Sequence, residues 1–327
     1  MGAGNAMARS VNPVEFHDYS AASSDFLNEV LSGLSNIPKA IPAKYLYDQR
    51  GAELFNKICE LPEYYPTRTE TGIFRDNADD IAEHMGEKNI FVELGSGNSE
   101  KARILLESFR PSQYLGVDIS KEFLLEATQN LADDYPWLQV HAVCADFSRQ
   151  LRLPAHCISS SIVAFYLGSS IGNFHPDEAV AFMQQIHKLI GIGNQLLIGV
   201  DLKKDEQFLH AAYNDKAGVT AAFNLNLLHR MNRELDADID VEKFQHEAFY
   251  NPSRGRIEMH LVSITNQVLK IGKRKFSLAL GDSIHTESSY KYSLQEFGQL
   301  AEQSGFRIQK VWTDENNYFS TQLLIAI

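Results

Sequence analysis

From Asn89 onward the chain alternates short apolar runs with longer stretches in which hydrophobic residues recur every three or four positions. Short runs of the first kind read as buried strands and the second as amphipathic helices. Their alternation predicts a mostly parallel sheet with helices on both faces. Strands are expected at Ile90–Leu94, Gln113–Val117, Val140–Cys144, Ser161–Tyr166 and Gln195–Val200, with helices at Glu100–Phe109, Lys121–Leu131 and Pro176–Leu189 between them. Pro176 suits a first helical turn, where a missing N–H leaves nothing unpaired. A helix at Leu294–Ser304 and strands at Arg307–Thr313 and Thr321–Ile327 close the pattern.

Leu202–Tyr290 breaks this rhythm. A helical stretch to about Arg233 gives way to period-two alternation, with Ile257, Met259, Leu261 and Ser263 on one face, which signals half-buried antiparallel strands. Lys275–Leu280 is a plausible hairpin partner, with Phe276, Leu278 and Leu280 facing inward, and Lys273-Arg274-Lys275 beside Gly272 reads as a solvated hairpin turn. An insertion between the fifth strand and the last helix sits above the carboxyl ends of the strands, where open α/β sheets bind ligands. The expected organisation is therefore an N-terminal arm of a substrate-binding domain over 12–68 and a catalytic core over 69–201. An inserted α+β substrate-binding domain over 202–290 follows, and then the C-terminal part of the core over 291–327.

Composition narrows the partners. At 327 residues and 44% hydrophobic, the chain can bury a large core without staples. Its three cysteines are too few and too scattered for a disulfide framework or a Cys-rich zinc site, so a reducing, cytoplasmic setting is expected. A monomer is expected as well. No apolar run approaches the roughly 20 residues of a membrane span, so no membrane partner is expected. A formal net charge of -12 disfavours nucleic acid, whose binding rests on clustered Lys and Arg. A small-molecule partner fits better. None of the eleven histidines forms a His-Glu-x-x-His helix or pairs with cysteine at zinc spacing, so no metal is expected.

The most informative stretch is Phe91-Val92-Glu93-Leu94-Gly95-Ser96-Gly97-Asn98-Ser99-Glu100-Lys101, an apolar strand running through a glycine turn into a helix. Gly95 and Gly97 let backbone N–H groups approach a ligand that a β-carbon would push away. Asp118 ends the next strand roughly 20 residues on, where an acid accepts ribose hydroxyls. The third glycine of the dinucleotide fingerprint is missing. An S-adenosylmethionine site therefore fits better than a pyrophosphate cradle, while an ordinary strand-to-helix turn stays open. Glu93 and Asp118 close their strands on opposite sides of the glycine loop. Asp146-Phe147, after the third strand, is placed to meet an adenine, with the acid accepting from the amine and the ring stacking, although Asp146 suits a helix N-cap equally. Lys101 reaches toward a carboxylate or lies solvated on its helix.

Further candidates are spread along the chain. Tyr166-Leu167-Gly168-Ser169-Ser170-Ile171-Gly172-Asn173 follows the fourth strand at the ligand edge, and Asn173 there holds a substrate group or only makes a turn. Tyr45, Tyr47, Phe55, Tyr64 and Tyr65 form an aromatic cluster suited to a methylated, cationic amine, or to core packing. Thr286-Glu287-Ser288-Ser289 offers a carboxylate and a hydroxyl, or merely begins a strand.

Taken together, Tyr47-Asp48-Gln49-Arg50-Gly51-Ala52-Glu53-Leu54-Phe55, Leu61-Pro62-Glu63-Tyr64-Tyr65-Pro66-Thr67-Arg68, the Glu-Leu-Gly-Ser-Gly loop and Ala221-Ala222-Phe223-Asn224 resemble the histidine N-alpha-methyltransferases of ergothioneine biosynthesis. The likeness runs from about Lys44 to the C-terminus. It implies a Rossmann-like class I methyltransferase sheet with an inserted substrate-binding domain. The implied enzyme is S-adenosylmethionine-dependent and methylates the α-amine of L-histidine three times to give hercynine. By the same resemblance, Asn173 and Tyr213 hold the substrate carboxylate and Glu287 and Ser289 the imidazole. Tyr64 lies near the imidazole, and Tyr47, as the catalytic residue, near the reacting amine. Phe55 and Gly168 line the amine's surroundings, and Met259 occupies a pocket position. On the cofactor side Gly95, Lys101, Asp118, Asp146 and Phe147 match. The flanking Ser288 and the run Tyr290-Lys291-Tyr292 depart from the family pattern. The same chemistry on another amino acid or biogenic amine is the nearest rival. A non-catalytic sensor of an adenosine ligand is another, and a nicotinamide oxidoreductase would want the missing glycine.

Overall fold

A computed structural model describes residues 13–19, 24–87, 90–97, 99–146, 153–154 and 161–327. The arm comprises β1 (Glu15–Asp18), α1 (Ser24–Ser35), β2 (Lys39–Ala40), α2 (Gln49–Glu60) and α3 (Tyr65–Met85). Then come β3 (Ile90–Leu94), α4 (Glu100–Phe109), β4 (Gln113–Asp118), α5 (Lys121–Asp134), β5 (Gln139–Cys144), β6 (Ile162–Tyr166), α6 (Pro176–Ile190) and β7 (Gln195–Asp201). These fall on the stretches where the hydrophobic pattern predicts them, with ends that differ by less than a helical turn. The insertion holds α7 (Glu206–Tyr213), α8 (Val219–Glu234), β8 (Ala237–Asp238), β9 (Phe244–Asn251), β10 (Arg256–Ser263), β11 (Gln267–Ile271), β12 (Arg274–Leu278) and β13 (Ser283–Tyr290). The chain closes with α9 (Leu294–Gln303), β14 (Phe306–Thr313) and β15 (Phe319–Ala326).

The large sheet has the order β1-β5-β4-β3-β6-β7-β15-β14. Its strands run parallel except β15, which is antiparallel to both β7 and β14. Strand order reverses at β3, which pairs with β4 on one side and β6 on the other. That reversal opens a crevice at the carboxyl ends of the strands, where the loops after β3, β4 and β6 converge. The central strands β3 and β6 are buried along their whole length, as expected of strands covered on both faces. This is the Rossmann-like methyltransferase sheet expected from the sequence. The strand β1 on its edge is an addition that the sequence pattern does not announce.

In the insertion β13 and β9 flank β10, and β2 from the arm joins the far side of β13. The hairpin of β11 and β12 turns at Gly272-Lys273, inside the predicted basic stretch, but Arg274 and Lys275 already belong to β12, which pairs with β11 in a sheet of its own and not with β10. Phe276 and Leu278 are buried in the hairpin, but Leu280 is 68% exposed, because the chain has left the strand and turns through Gly281 before β13. Arm and insertion share one hydrophobic cluster: Phe26, Val30, Leu34 and Leu54 pack with Leu209, Phe223, Leu227, Met259 and Leu261. Asp48 ties them further. Its carboxylate accepts from the Gly51 N–H at the start of α2 and from the Asn226 amide on α8, and pairs with Arg233. α3 begins within the arm and runs on past 68 without a break, packing against β7, β14 and β15 of the large sheet.

Candidate functional site

Two adjoining cavities lie over the crevice. The larger, about 860 Å³, runs from the β3 and β4 loops, at Gly95, Gly97, Asp118, Ile119, Ser120, Phe123 and Asp146, to the underside of the arm at Ala40 to Lys44. The smaller, about 30 Å³, is enclosed by Tyr64, Gly168, Ser169, Asp201, Tyr213, Ser289 and Lys291. Tyr47, Phe55, Ser170, Asn173 and Glu287 line both and form the passage between them. Residues far apart in sequence therefore meet around one continuous space.

At the glycine loop the structure changes the reason for the glycines. The N–H groups of Gly95 and Ser96 both bond the Val117 carbonyl, and the Gly97 N–H bonds Asp118 Oδ2 at 3.1 Å. The loop is thus sewn to the end of β4, and these N–H groups are not free donors. What Gly97 supplies is room and conformation. Its φ is +53°, and a β-carbon built on it meets nothing within 4 Å, so the space above the loop stays open for a ligand. Asp118 is fixed through both oxygens, with Oδ1 accepting the Ser120 N–H at 3.0 Å, and it lines the larger cavity, each carboxylate oxygen having capacity for a further hydrogen bond.

Glu93 and Lys101 line neither cavity. Glu93 lies beneath the loop, where Tyr114 Oη donates to it at 2.5 Å, and burial pushes its carboxyl up to about 8. Lys101 pairs with the fully buried Glu70 of α3, which also accepts the Gly168 N–H at 3.0 Å. Burial alone would lower the lysine, but Glu70 beside it holds it above its ordinary value. Glu70 reaches Gly168 only because Gly199 has no side chain, since a β-carbon there would lie 2.1 Å from Glu70 Oε1. Asp146 is held under the arm by Lys44 at 3.3 Å, and Lys44 also pairs with Glu29 of α1. Phe147 lies outside the described residues.

On the other side of the passage, four rings meet edge to face: Tyr47 with Phe55 at 5.5 Å, Phe55 with Tyr64 at 6.2 Å, and Tyr64 with Tyr213 at 6.3 Å. Asn173 ends the short 3-10 turn Ser170–Asn173. Glu287 and Ser289 are two apart on β13 and so share a face. The register of β13 is pinned by the motif residue Asn224, whose amide oxygen accepts from Thr286 Oγ1 and whose nitrogen donates to the His260 carbonyl. Thr286 is the bulged residue, the extra one of β13 opposite the Met259–His260 step of β10, which lets this happen while keeping Met259 beside Glu287. Met259 itself is buried in the cluster beneath and touches neither cavity.

Glu287 is 7% exposed, its Oε2 has no hydrogen-bond partner among the described residues, and burial pushes its carboxyl up to about 7 despite the opposing charge of Lys291. Burial also raises the Tyr47 phenol well above its usual range. Beneath lies a charged network that sequence reasoning missed. Asp201 accepts from Tyr65 Oη and pairs with Lys204 and Lys291, all of them buried. Burial works against its ionised form, yet the two ammonium groups hold its carboxyl below the ordinary range, while burial brings Lys204 down to about 8. Two signals were available. Gly199-Val200-Asp201 repeats the Gly116-Val117-Asp118 pattern at a strand end, and Lys291 continues the period of two from Glu287 and Ser289.

Residues 26–326 match the family described as histidine-specific, SAM-dependent methyltransferase. The chain belongs to the histidine-specific methyltransferases. It is 37% identical over 311 residues to the histidine N-alpha-methyltransferase of Mycolicibacterium smegmatis, covering 93% of this chain and 96% of that one. Identity to the enzyme of the same description from Mycobacterium tuberculosis is 37% over 302 residues, covering 90% of this chain and 93% of the other. Ergothioneine biosynthesis protein 1 of Neurospora crassa is 30% identical over 86% of this chain, which spans 32% of that longer protein. As a histidine-specific methyltransferase the chain is an S-adenosylmethionine-dependent N-methyltransferase. No helix among its described residues is long and apolar enough to cross a membrane.

Proposed function

We propose that this enzyme transfers three methyl groups to the α-amine of L-histidine, giving hercynine for ergothioneine synthesis. The observation that carries the substrate is Glu287 Oε2, a buried carboxylate oxygen without a partner among the described residues, two residues from the Ser289 hydroxyl on the same face. A buried acceptor left unpaired costs about 1–3 kcal/mol, and more when charged. An imidazole N–H satisfies it, and the other ring nitrogen meets Ser289. Ligands without ring nitrogens leave both groups unpaired, which makes such a site selective.

On the donor side the open space above Gly97 and the two-point anchoring of Asp118 suit S-adenosylmethionine, with Gly95, Gly97, Asp118 and Asp146 around it. Glu93 and Lys101 then act from behind, one under the glycine loop and one through Glu70 on the loop after β6. When bound, the cofactor supplies a methyl group activated by its sulfonium. The protein's share is alignment and exclusion of water. Asn173 and Tyr213 hold the substrate carboxylate, and Glu287 and Ser289 the ring. Tyr47, kept as a neutral phenol by burial, orients the amine or a water that takes its proton, and is no strong base. Phe55, Tyr64 and Gly168 bound the space into which successive methyl groups grow, and the aromatic faces suit the permanently cationic product. The arm over 12–68 and the insertion over 202–290 together form the substrate half, in an enzyme that works as a cytoplasmic monomer.

Incubation with S-adenosylmethionine and each common amino acid in turn, followed by mass spectrometry, tests the reading. One to three added methyl groups on histidine are expected. Products only on another amine would transfer the same chemistry to a different substrate, and no product at all would leave a sensor.

A further inference from the structure

We propose that the inserted sheet carries a binding site for a divalent first-row transition-metal ion, Zn2+ above all, built from Glu258, His260 and His285 on the face opposite Glu287 and Ser289. The site goes beyond the histidine reading above and does not depend on it.

Strand register brings the three residues together. Glu258 and His260 are two apart on β10 and so share a face. Across the ladder His260 is paired with His285 and Glu258 with Ser288, while Met259 is paired with Glu287. On a regular strand His285 and Glu287, two apart, would share a face. The extra residue Thr286 shifts the alternation, so that Glu287 keeps the substrate side and His285 joins Glu258 and His260 on the other. No local motif shows the cluster, because its third member arrives only through strand pairing.

The geometry and the donor set suit a metal ion. The ligand atoms of the three residues all lie within 4.8 Å of one another, and His260 Nε2 is 3.2 Å from Glu258 Oε2. Atoms bound to a tetrahedral zinc ion at about 2.1 Å stand about 3.4 Å apart, so small side-chain rotations close the set. Two imidazoles and one carboxylate favour zinc and its neighbours over Mg2+ or Ca2+, which prefer oxygen throughout.

The surroundings hold these ligands in place. Arg256 at 2.8 Å and Asn251 at 3.0 Å engage Oε1 of Glu258, and Oε2 is turned to His260. Phe249 stacks on the His260 ring at 5.3 Å, and His260 Nδ1 lies 3.2 Å from Ser283 Oγ. When an ion takes Nε2, the imidazole carries its proton on Nδ1 and donates it to Ser283, an outer partner of the kind that ligating histidines use. His285 and Ser288, which are 3.1 Å apart through Nε2 and Oγ, line the larger cavity and give an ion a way in. The Arg256 guanidinium repels a cation, so micromolar affinity is expected rather than the much tighter binding of thiolate sites. An ion here joins β10 to β13 across the Thr286 bulge and braces the segment that presents Glu287.

The test titrates the untagged, metal-stripped full chain with Zn2+ by calorimetry, alongside His260→Gln, His285→Gln and His17→Gln. The last lies in the other histidine-carboxylate cluster among the described residues, Glu15, His17 and His141. Wild type should take one Zn2+ per chain in the micromolar range, with excess Mg2+ unable to compete. His260→Gln and His285→Gln should each weaken binding by about tenfold or more, at least the cost of losing an outer-shell partner, and His17→Gln should leave it unchanged. Thermal unfolding separates lost binding from lost folding. Zn2+ should raise the Tm of wild type and His17→Gln by mass action, whereas the other two should unfold cooperatively with a Tm that Zn2+ does not move. No saturable binding to wild type, wild-type affinity in either His260→Gln or His285→Gln, or loss of binding in His17→Gln overturns the assignment.

Discussion

The two halves of the site are built by different means. The half proposed for the cofactor comes from consecutive strand ends, β3 into its glycine loop and β4 into Asp118, and much of its shape is backbone held to backbone. The half proposed for the substrate is made of side chains brought from α2, α3, α7, β13 and the turn after β6, fixed by a buried network of Asp201, Lys204, Lys291 and Tyr65. One half tolerates side-chain change wherever the backbone path is kept. The other depends on every member, because a buried polar group that loses its partner is expensive.

The sharpest way to break this contrast is Glu287→Ala. Truncating one side of a buried, charged hydrogen bond costs about 2–4 kcal/mol, so kcat/KM for histidine should fall roughly 30- to 1000-fold. Calorimetry should find S-adenosylhomocysteine bound as before. A variant that methylates histidine as well as wild type would remove imidazole recognition from Glu287.

Gly97→Val probes the opposite half. A β-branched residue at φ +53° is strained by about 1–2 kcal/mol, and its side chain enters the open space above the loop. S-adenosylhomocysteine should bind about tenfold or more weakly, while the preference for histidine over 2-thienylalanine, whose ring has no nitrogen, persists. Loss of both together would mean that the halves are not separable.

The smallest effect is on stability. The Glu287 carboxyl stands at about 7 in the folded chain against an ordinary 4.5. Below pH 4.5 both states hold the proton. As pH rises toward 7 the unfolded chain releases it while the folded chain keeps it, so this group's contribution to wild-type stability is lost across that window. Glu287→Gln does not titrate. The Tm of the variant relative to wild type, measured without ligands, should therefore climb from pH 5 to 7 and level off above, whereas a constant difference would place the carboxyl near its ordinary value.

Legibility followed the same division. The strands and helices of the large sheet could be read because burial on both faces makes their hydrophobic runs continuous, and the place of Gly95, Gly97 and Asp118 at the cavity could be read because they sit at fixed offsets along one strand-turn-helix. Leu280 was misread because period two was carried past the point where β12 ends at Leu278. Glu93 and Lys101 belong to the same sequence pattern yet line neither cavity, since which side of a loop a polar residue faces depends on what packs against it. Glu70 gave no signal at all. It is one acid on a helix rich in acids, and only Gly199 and Gly168 on neighbouring strand ends make a berth for it.

By itself, then, the sequence determined the sheet, the position of its ligand edge and the motifs of a histidine-specific methyltransferase, because local periodicity and glycine spacing act over a few residues. Only the tertiary structure decided which polar groups face the cavity and which support it from behind. It left Glu287 Oε2 without a partner among the described residues, paired Lys291 with Asp201 and sewed the glycine loop to β4. Those outcomes depend mainly on hydrogen bonds between residues 21 (Gly97 to Asp118) to 90 (Asp201 to Lys291) positions apart, and such pairings are fixed by packing, which no local pattern records.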